Sequence, residues 1–129
     1  MNILIVDDLL QNRKLLADLL RPYGQCDTVV DGQEAIDIFE GRLVDGDPYD
    51  LVLLDIMMPG VDGQEALAGM RQIERERHSS KEAIIIMVTA VDESQDVLKA
   101  FFRGGCDDYL IKPITKEDLF KKLGEYNLI

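Results

Sequence analysis

Aspartates directly follow two of the most apolar segments of this sequence. Asp7 and Asp8 follow the first, and Asp55 follows the second. Two later segments end in a hydroxyl and an amine, those of Thr89 and Lys112. An aspartate can attack phosphorus and form an acyl phosphate, while a lysine and a hydroxyl stabilise the charged oxygens of the transferred group. These residue types suit phosphoryl transfer onto a carboxylate.

Three carboxylates brought together need positive charge close by. At about 5 Å and an effective dielectric near 20, each pair repels by on the order of 3 kcal/mol. Lys112 supplies one positive charge, and a divalent ion is the natural second. A hard cation held by one or two carboxylates, with several waters retained, is the Mg²⁺ pattern. A zinc site would need histidine and cysteine ligands, whereas His78 lies alone in a charged segment.

Short aliphatic runs bounded by turn residues indicate buried strands of a parallel sheet. Residues 3–6, 51–54 and 84–88 are such runs, and residues 26–30 and 108–111 are less apolar strands. A helical stretch follows each strand, which makes five strand–helix pairs. This alternation predicts an α/β fold in which helices cover both faces of a parallel sheet. Because the carboxyl ends of parallel strands share one edge, the polar residues after them are expected to meet there.

Helical periodicity predicts which side chains face the sheet. The first helix is expected to bury its leucines, Leu15 included, and the second is expected to end at Gly41. The charged end of the third helix, residues 74–78, is expected to face solvent. Thr115 and Asp118 have the spacing of a capping box at the start of the last helix.

Composition limits the class of protein. With 129 residues and 47% hydrophobic content, the chain is long enough for one domain with a substantial core. A formal net charge of −11 argues against direct contact with nucleic acid, which requires basic patches. No stretch approaches the roughly 20 apolar residues of a membrane helix, and we expect no signal peptide. Cys26 and Cys106 suit a reducing compartment, so the expected location is the cytoplasm.

Several motifs, taken in order, resemble the CheY-like receiver domain of two-component response regulators, over residues 2 to about 123. The motifs are Asp7-Asp8, residues 51–55 with residues 57–63, Val88-Thr89-Ala90, and residues 105–113. The resemblance implies a flavodoxin-like, doubly wound sheet of five strands in the order 2-1-3-4-5, with five helices. In that order the topological switch point lies between the first and third strands, which carry Asp8 and Asp55.

The resemblance also implies a role for each site residue. Asp55 is expected to accept a phosphoryl group from a phosphohistidine. Asp8 and Asp55 are expected to bind Mg²⁺ directly, with Mn²⁺ as an alternative ion. The Met57 backbone carbonyl would complete the protein ligands, and Asp7 would act largely through water.

The remaining motif positions match residues that sense the phosphoryl group. Thr89 is expected to donate a hydrogen bond to it, and Lys112 to form an ion pair with it. Tyr109 matches the switch aromatic, which moves inward with Thr89. The Lys112–Pro113 bond is cis in this family. Met57 and Val91 match positions that tune hydrolysis, and because neither can orient a water, a long-lived acyl phosphate is expected.

The implied partners are a histidine kinase or a histidine phosphotransfer protein, and a downstream protein target. The first helix, with Asn12 as an exposed residue, and the loops near Asp55 and Pro113 are expected to dock the phosphodonor. The motifs are similar to those of stand-alone and hybrid-kinase or phosphorelay receivers. We expect a single receiver domain over residues 1–129 without an output domain, either stand-alone or excised. Beyond its own phosphorylation and dephosphorylation, no enzymatic activity is expected.

Three other functions are the alternatives to phosphoryl acceptance. A phosphatase of the haloacid dehalogenase type needs Asp-x-Asp after its first strand, and no aspartate lies two places after Asp8 or Asp55. A flavin-binding module would want a phosphate loop after the first strand, where Asp7 and Asp8 repel phosphate. A degenerate receiver that acts only as a binding module stays open, although the acidic residues, Thr89 and Lys112 argue against it.

Overall fold

The computed structural model of the protein describes residues 1–58, 60–90 and 92–129, in which strands and helices alternate as predicted. The strands are β1 Asn2–Val6, β2 Gln25–Val29, β3 Leu51–Asp55, β4 Ile84–Thr89 and β5 Asp108–Ile111. The helices are α1 Leu10–Leu20, α2 Gly32–Val44, α3 Gly63–Glu76, α4 Gln95–Gly104 and α5 Lys116–Glu125, and a short 3₁₀ helix, Arg21–Tyr23, follows α1.

The five strands form one parallel sheet in the order β2-β1-β3-β4-β5, which confirms the doubly wound α/β fold. Val6 pairs with Leu54, and Asp55 pairs with Val88. The residues that follow β1 therefore lie beside the end of β3. The switch point between β1 and β3 falls at the carboxyl edge of the sheet, where α/β proteins of this type place their sites.

Successive strand residues point to opposite faces of the sheet, and each face carries its own core. On one face, strand residues such as Leu4, Val52 and Ile85 pack with side chains of α2, α3 and α4. On the other face, strand residues such as Ile3 and Leu53 pack with side chains of α1 and α5. Each fully buried aliphatic side chain contributes about 1.5–3 kcal/mol to the stability of the fold. The central strands therefore hold the residues at their carboxyl ends in fixed positions.

The buried face of α1 is narrower than its periodicity suggests. Leu16 and Leu20 are buried, but Leu15 is 49% exposed, so the expectation that Leu15 faces the sheet was wrong. Adjacent residues of a helix are rotated by about 100°. With Leu16 centred on the sheet, Leu15 is turned toward the edge of the helix that borders the residues after β5.

The second helix continues through Gly41 to Val44, which contradicts the expected end at Gly41. Asp31 caps its start, accepting a hydrogen bond of 2.8 Å from the backbone N–H of Glu34. Among the described residues, no atom beyond its own helix turn lies within 4 Å of the position that a Cβ of residue 41 would take. A glycine in a helix interior weakens the helix by roughly 0.5–1 kcal/mol without ending it.

The charged end of α3 is not entirely exposed, because Glu74 and Arg71 are buried, and the expectation for residue 74 was wrong. Arg71 donates to the Glu74 carboxylate at 2.8 Å, to the carbonyl oxygens of Ala83 and Gly105, and to Asp107 at 2.9 Å. Glu74 also accepts from the backbone N–H of Ala83. The network joins α3 to the start of β4 and to the turn between α4 and β5.

No helix within the described ranges combines the length and the apolar run that crossing a membrane requires.

Candidate functional site

Asp55 is the last residue of β3 and lies at the centre of the carboxyl edge, where only 1% of its surface is exposed. One carboxylate oxygen accepts a hydrogen bond of 2.9 Å from Lys112 Nζ. The other oxygen accepts one of 3.1 Å from the backbone N–H of Met57. The carboxylate is therefore held in one orientation by groups from two different loops.

Two further carboxylates converge on Asp55. Asp7, Asp8 and Asp55 each place one carboxylate oxygen within 4.8 Å of the others. Asp7 and Asp55 are buried, whereas Asp8 is exposed. The end of β1 carries two of these residues to the end of β3 because the two strands are neighbours in the sheet.

The first turns of α1 hold Asp7 in place. Its carboxylate accepts hydrogen bonds from the Leu9 backbone N–H at 2.9 Å and from the Asn12 side-chain amide at 3.2 Å. Arg13 donates to the Asp7 carbonyl oxygen at 2.8 Å. Asn12 is thus half-buried and bonded to the acidic cluster, so the expectation that it is exposed was wrong. Asp8 has no side-chain hydrogen bond to any residue that the structure describes.

Burial raises the pKa of the Asp55 carboxyl above its ordinary value. The hydrogen bonds from Lys112 and Met57 and the charge of Lys112 oppose this rise, and the charge of Asp7 adds to it. A positive ion among the three carboxylates would remove the repulsion. The donors are all carboxylate oxygens, which suits a hard divalent cation, and the exposure of Asp8 leaves room for the waters that Mg²⁺ retains.

Thr89 ends β4 next to this cluster and is 2% exposed. The backbone N–H of Lys112 donates to the Thr89 carbonyl oxygen at 2.8 Å, so the two residues lie side by side on the edge. Among the described residues, the Thr89 hydroxyl has no hydrogen-bond partner. A buried hydroxyl without a partner costs about 1–3 kcal/mol, and such a group at a functional edge is placed to bond a ligand.

The other residues named from the sequence lie around this edge. Tyr109 is half-buried on β5, and its ring packs edge to face with that of Phe102 of α4, with centroids 6.1 Å apart. The Met57 side chain is 68% exposed, so it meets solvent at the mouth of the site. The Lys112–Pro113 bond is cis. Val91 lies outside the described residues.

A cavity of about 310 Å³ opens beside the acidic cluster, between α1 and the residues after β5. Leu15, Leu16, Pro113 and Ile114 supply its apolar lining, and Asp7, Asn12 and Lys112 supply its polar side. Leu9 and Leu10, at the start of α1, are each more than half exposed. Apolar groups therefore border the acidic cluster on the α1 side.

Acidic residues and a lysine converge at the switch point of this open α/β sheet, where proteins of this fold place their functional sites. The family model of the response regulator receiver domain matches residues 3–124. The chain belongs to this family, and it is a receiver domain of two-component signalling.

The relatives of the chain include whole regulators and kinases. The transcriptional regulatory protein TcrA of Mycobacterium tuberculosis is 40% identical over 122 residues, which are 94% of this chain and 44% of that protein. Sensor histidine kinases are also among the relatives. The chain spans less than half the length of these curated relatives.

Solved structures show the same fold. The receiver domain of Saccharomyces cerevisiae Ssk1, crystallised with the histidine phosphotransfer protein Ypd1, is 31% identical with a TM-score of 0.84, covering 98% of this chain and 88% of that one. The receiver domain of the Pseudomonas aeruginosa sensor histidine kinase PA1611, with a magnesium ion in its active site cleft, is 29% identical with a TM-score of 0.78, covering 97% and 95%.

Proposed function

We propose that this receiver domain is a Mg²⁺-dependent phosphoryl acceptor, with Asp55 as the acceptor residue. A carboxylate oxygen of Asp55 attacks the phosphorus of a phosphohistidine on a histidine kinase or a histidine phosphotransfer protein. The new O–P bond forms as the P–N bond breaks, and the imidazole retains that electron pair. The observation that carries the proposal is the convergence of three carboxylate oxygens within 4.8 Å, with Lys112 Nζ 2.9 Å from Asp55.

Asp8, Asp55 and the Met57 carbonyl oxygen would hold the metal ion, with Asp7 acting through water. The hydrogen bonds that occupy the Asp7 carboxylate support its indirect part, and the exposed Asp8 supports direct ligation. Mn²⁺ suits the same oxygen donors. When bound, the ion neutralises charge on the phosphoryl oxygens, as a magnesium ion occupies the active site cleft of the PA1611 receiver.

Lys112 and Thr89 would recognise the phosphoryl group after transfer. Lys112 exchanges its ion pair with the carboxylate for one with a phosphoryl oxygen, and the Thr89 hydroxyl donates to another. The buried, unpartnered hydroxyl supports this role for Thr89 among the residues described. As Thr89 moves, Tyr109 would turn inward from its contact with Phe102, which alters the surface of α4 and β5 for a downstream protein target.

The phosphodonor would dock on the α1 side of the site. The exposed Leu9, Leu10 and Leu15 and the cavity beside them offer apolar surface within reach of Asp55. A histidine phosphotransfer protein is a suitable partner, as Ypd1 was crystallised with the receiver domain of Ssk1. The proposed compartment is the cytoplasm, and the free thiols of Cys26 and Cys106 accord with it.

The decisive experiment is incubation with Mg²⁺ and acetyl phosphate, followed by mass spectrometry of the intact protein. We expect an increase by one phosphate in the wild type and none in the Asp55→Asn variant. Removal of Mg²⁺ with a chelator is expected to abolish the modification. If acetyl phosphate and phosphohistidine donors both leave the wild type unmodified, the chain is a degenerate receiver that acts only by binding.

The acyl phosphate is expected to be long-lived. Met57 lies two positions after the acceptor, and its thioether is only a weak hydrogen-bond acceptor, so it holds no attacking water in place. Decay of the phosphorylated fraction after the donor is removed measures the lifetime. Val91 is assigned the same property from the sequence alone. A half-life of seconds without a phosphatase contradicts this expectation, and Met57→Asn is expected to shorten the half-life severalfold.

A further inference from the structure

Two glycines contact the loop between β3 and α3 through its backbone. A Cβ built on Gly32, the first residue of α2, would lie 2.3 Å from the carbonyl oxygen of Val61. A Cβ on Gly63, the first residue of α3, would lie 2.6 Å from the carbonyl oxygen of Asp55 and 2.8 Å from the Cα of Ile56. Real Cβ atoms essentially never approach other atoms within 3.0 Å.

The loop is the part that must yield if either glycine gains a side chain. Helix α2 is anchored by Ala35 and Phe39, which are 0% and 2% exposed. It also packs closely on α3, since Ile36 lies 2.9 Å from where a Cβ of Gly69 would be. Strand β3 is buried along its whole length. An added methyl group would therefore displace the loop or the first turn of α3 that continues from it.

This loop carries the backbone groups that face the acceptor. The Met57 N–H donates to the Asp55 carboxylate at 3.1 Å. The Ile56 N–H donates to the Val88 carbonyl oxygen at 3.1 Å, and the Gly63 N–H donates to the Ile56 carbonyl oxygen at 3.4 Å. A displacement at Val61 passes along the chain to Gly63, and from Gly63 it reaches Met57 through the hydrogen bond to Ile56.

We propose that Gly32 and Gly63 are positioning residues that seat the β3–α3 loop from two sides and so set the Met57 carbonyl and the Asp55 carboxylate at the distance that the metal ion needs. This inference rests on the proposed metal-dependent function. Residues that orient metal ligands without touching the ion typically change metal affinity by about 10–100-fold when substituted.

The chain offers a matched control for each glycine. Gly41 lies in the same helix as Gly32, and no described atom outside its own helix turn is within 4 Å of its Cβ position. Gly69 lies in the same helix as Gly63, and the three atoms nearest its Cβ position all belong to the flexible side chain of Ile36. Gly69→Ala therefore disturbs packing between α2 and α3 without touching the loop backbone.

The test compares Gly32→Ala and Gly63→Ala with Gly41→Ala and Gly69→Ala, after circular dichroism has shown that each variant is folded. Titration calorimetry measures the Mg²⁺ dissociation constant. The amide resonance of Met57 in ¹⁵N-labelled, metal-free protein reports its hydrogen bond to Asp55. We expect Mg²⁺ binding to weaken about tenfold or more in the first two variants, with a shifted Met57 resonance, and both controls to match the wild type within about twofold.

The proposal is overturned if Gly32→Ala and Gly63→Ala keep wild-type affinity and an unshifted Met57 resonance, or if Gly69→Ala weakens binding as much as they do. Should one of the two variants fail to fold, the other decides. If the wild type itself binds no Mg²⁺, the proposed function fails, and an unshifted Met57 resonance in the metal-free variants then overturns the positioning role separately.

Discussion

Asp55 carries a charge at a position where folding alone disfavours one. It is almost completely buried, and two other carboxylates face it. Lys112 offsets only part of the cost, since the net effect is a raised pKa for the Asp55 carboxyl. Such a group is kept for what it binds, because a neutral residue of the same shape would fold more easily.

Replacing Asp55 with a neutral residue should therefore stabilise the metal-free protein. The pKa of Asp55 is higher in the folded than in the unfolded state, so its ionised form lowers the stability of the fold at neutral pH. This cost vanishes as the pH falls below the ordinary pKa of an aspartate, which is near 4. We expect Asp55→Asn, at pH 7 in a chelator, to raise the free energy of unfolding by about 1 kcal/mol. This corresponds to a rise in Tm of roughly 4 °C. The gain should shrink as the pH approaches 4.

Thermal melts between pH 4 and pH 8 measure this difference. Glu82→Gln, at an exposed carboxylate, is the control and should leave the Tm nearly unchanged at every pH. An Asp55→Asn variant that melts at or below the wild-type temperature across this range would contradict the raised pKa.

Thr89 separates binding from folding at the same scale. Thr89→Val keeps the shape of the side chain and removes a hydroxyl without a partner among the described residues. We expect the stability of the unphosphorylated protein to stay equal or rise by about 1 kcal/mol. Phosphorylation by acetyl phosphate should slow by about tenfold or more, because a donor to the transferred group is lost.

Intact-mass time courses and thermal melts of Thr89→Val provide the two readouts. The control, Thr28→Val, changes an exposed threonine of β2 and should alter neither. A Thr89→Val variant that accepts phosphate at the wild-type rate would exclude a hydrogen bond from this hydroxyl to the phosphoryl group.

Elements are held together at the opposite edge of the sheet by the buried network around Arg71. Glu74 accepts from both Arg71 and the Ala83 N–H. In Glu74→Gln, the amide NH₂ must face one of these donors, so an N–H of Arg71 or of Ala83 loses its acceptor inside the core. Breaking a buried ion pair from one side costs about 3–5 kcal/mol, and we expect a loss of about 3 kcal/mol in the free energy of unfolding by urea.

An exposed ion pair between α2 and the residue that follows α3 is the matched comparison. Arg77 and Glu40 lie 3.4 Å apart with side chains that are 48% and 43% exposed. Pairs of this kind contribute about 0–1 kcal/mol, so Glu40→Gln should lower the free energy of unfolding by less than about 1 kcal/mol. Equal losses in Glu74→Gln and Glu40→Gln would mean that the Arg71 network does not stabilise the fold as a buried pair.

At the scale of the whole molecule, the two ends of the sheet have different tasks. The carboxyl edge carries the acidic cluster with apolar groups beside it. We expect Leu15→Ala to slow transfer from a phosphohistidine donor by about tenfold, since a contact of about 1.4 kcal/mol is lost. Phosphorylation by acetyl phosphate, which needs no docking, should be unchanged.

Val44→Ala is the control for the docking surface. Val44 is 57% exposed at the end of α2, which lies at the amino edge of the sheet. Transfer rates from a purified phosphorylated histidine phosphotransfer protein compare the two variants. If Leu15→Ala leaves that rate unchanged, or slows acetyl phosphate equally, the α1 side is not the docking surface.

Much of the fold could be predicted from the sequence because its information is local. The aliphatic runs before Asp7 and Asp55 identify strands, and the alternation of strands with helices identifies the parallel sheet. The convergence of polar residues at one edge follows from that topology. Local patterns wrongly predicted that α2 ends at Gly41, since a glycine in open space permits a helix to continue. They also wrongly predicted that Leu15 is buried, since periodicity does not show where the sheet ends.

Only the tertiary structure decided which charges have partners. Glu74 sits in a run of charges that looks solvated, and its burial depends on Arg71 reaching Gly105 and Asp107, more than thirty residues away. The sequence by itself determined the strand that Asp55 ends and the sheet edge at which it lies, because these follow from short-range pattern. Other features depend on distances between elements, which the spacing of residues along the chain does not contain. These features are the orientation of Asp7, the Thr89 hydroxyl that has no partner among the described residues, and the close backbone contacts of Gly32 and Gly63.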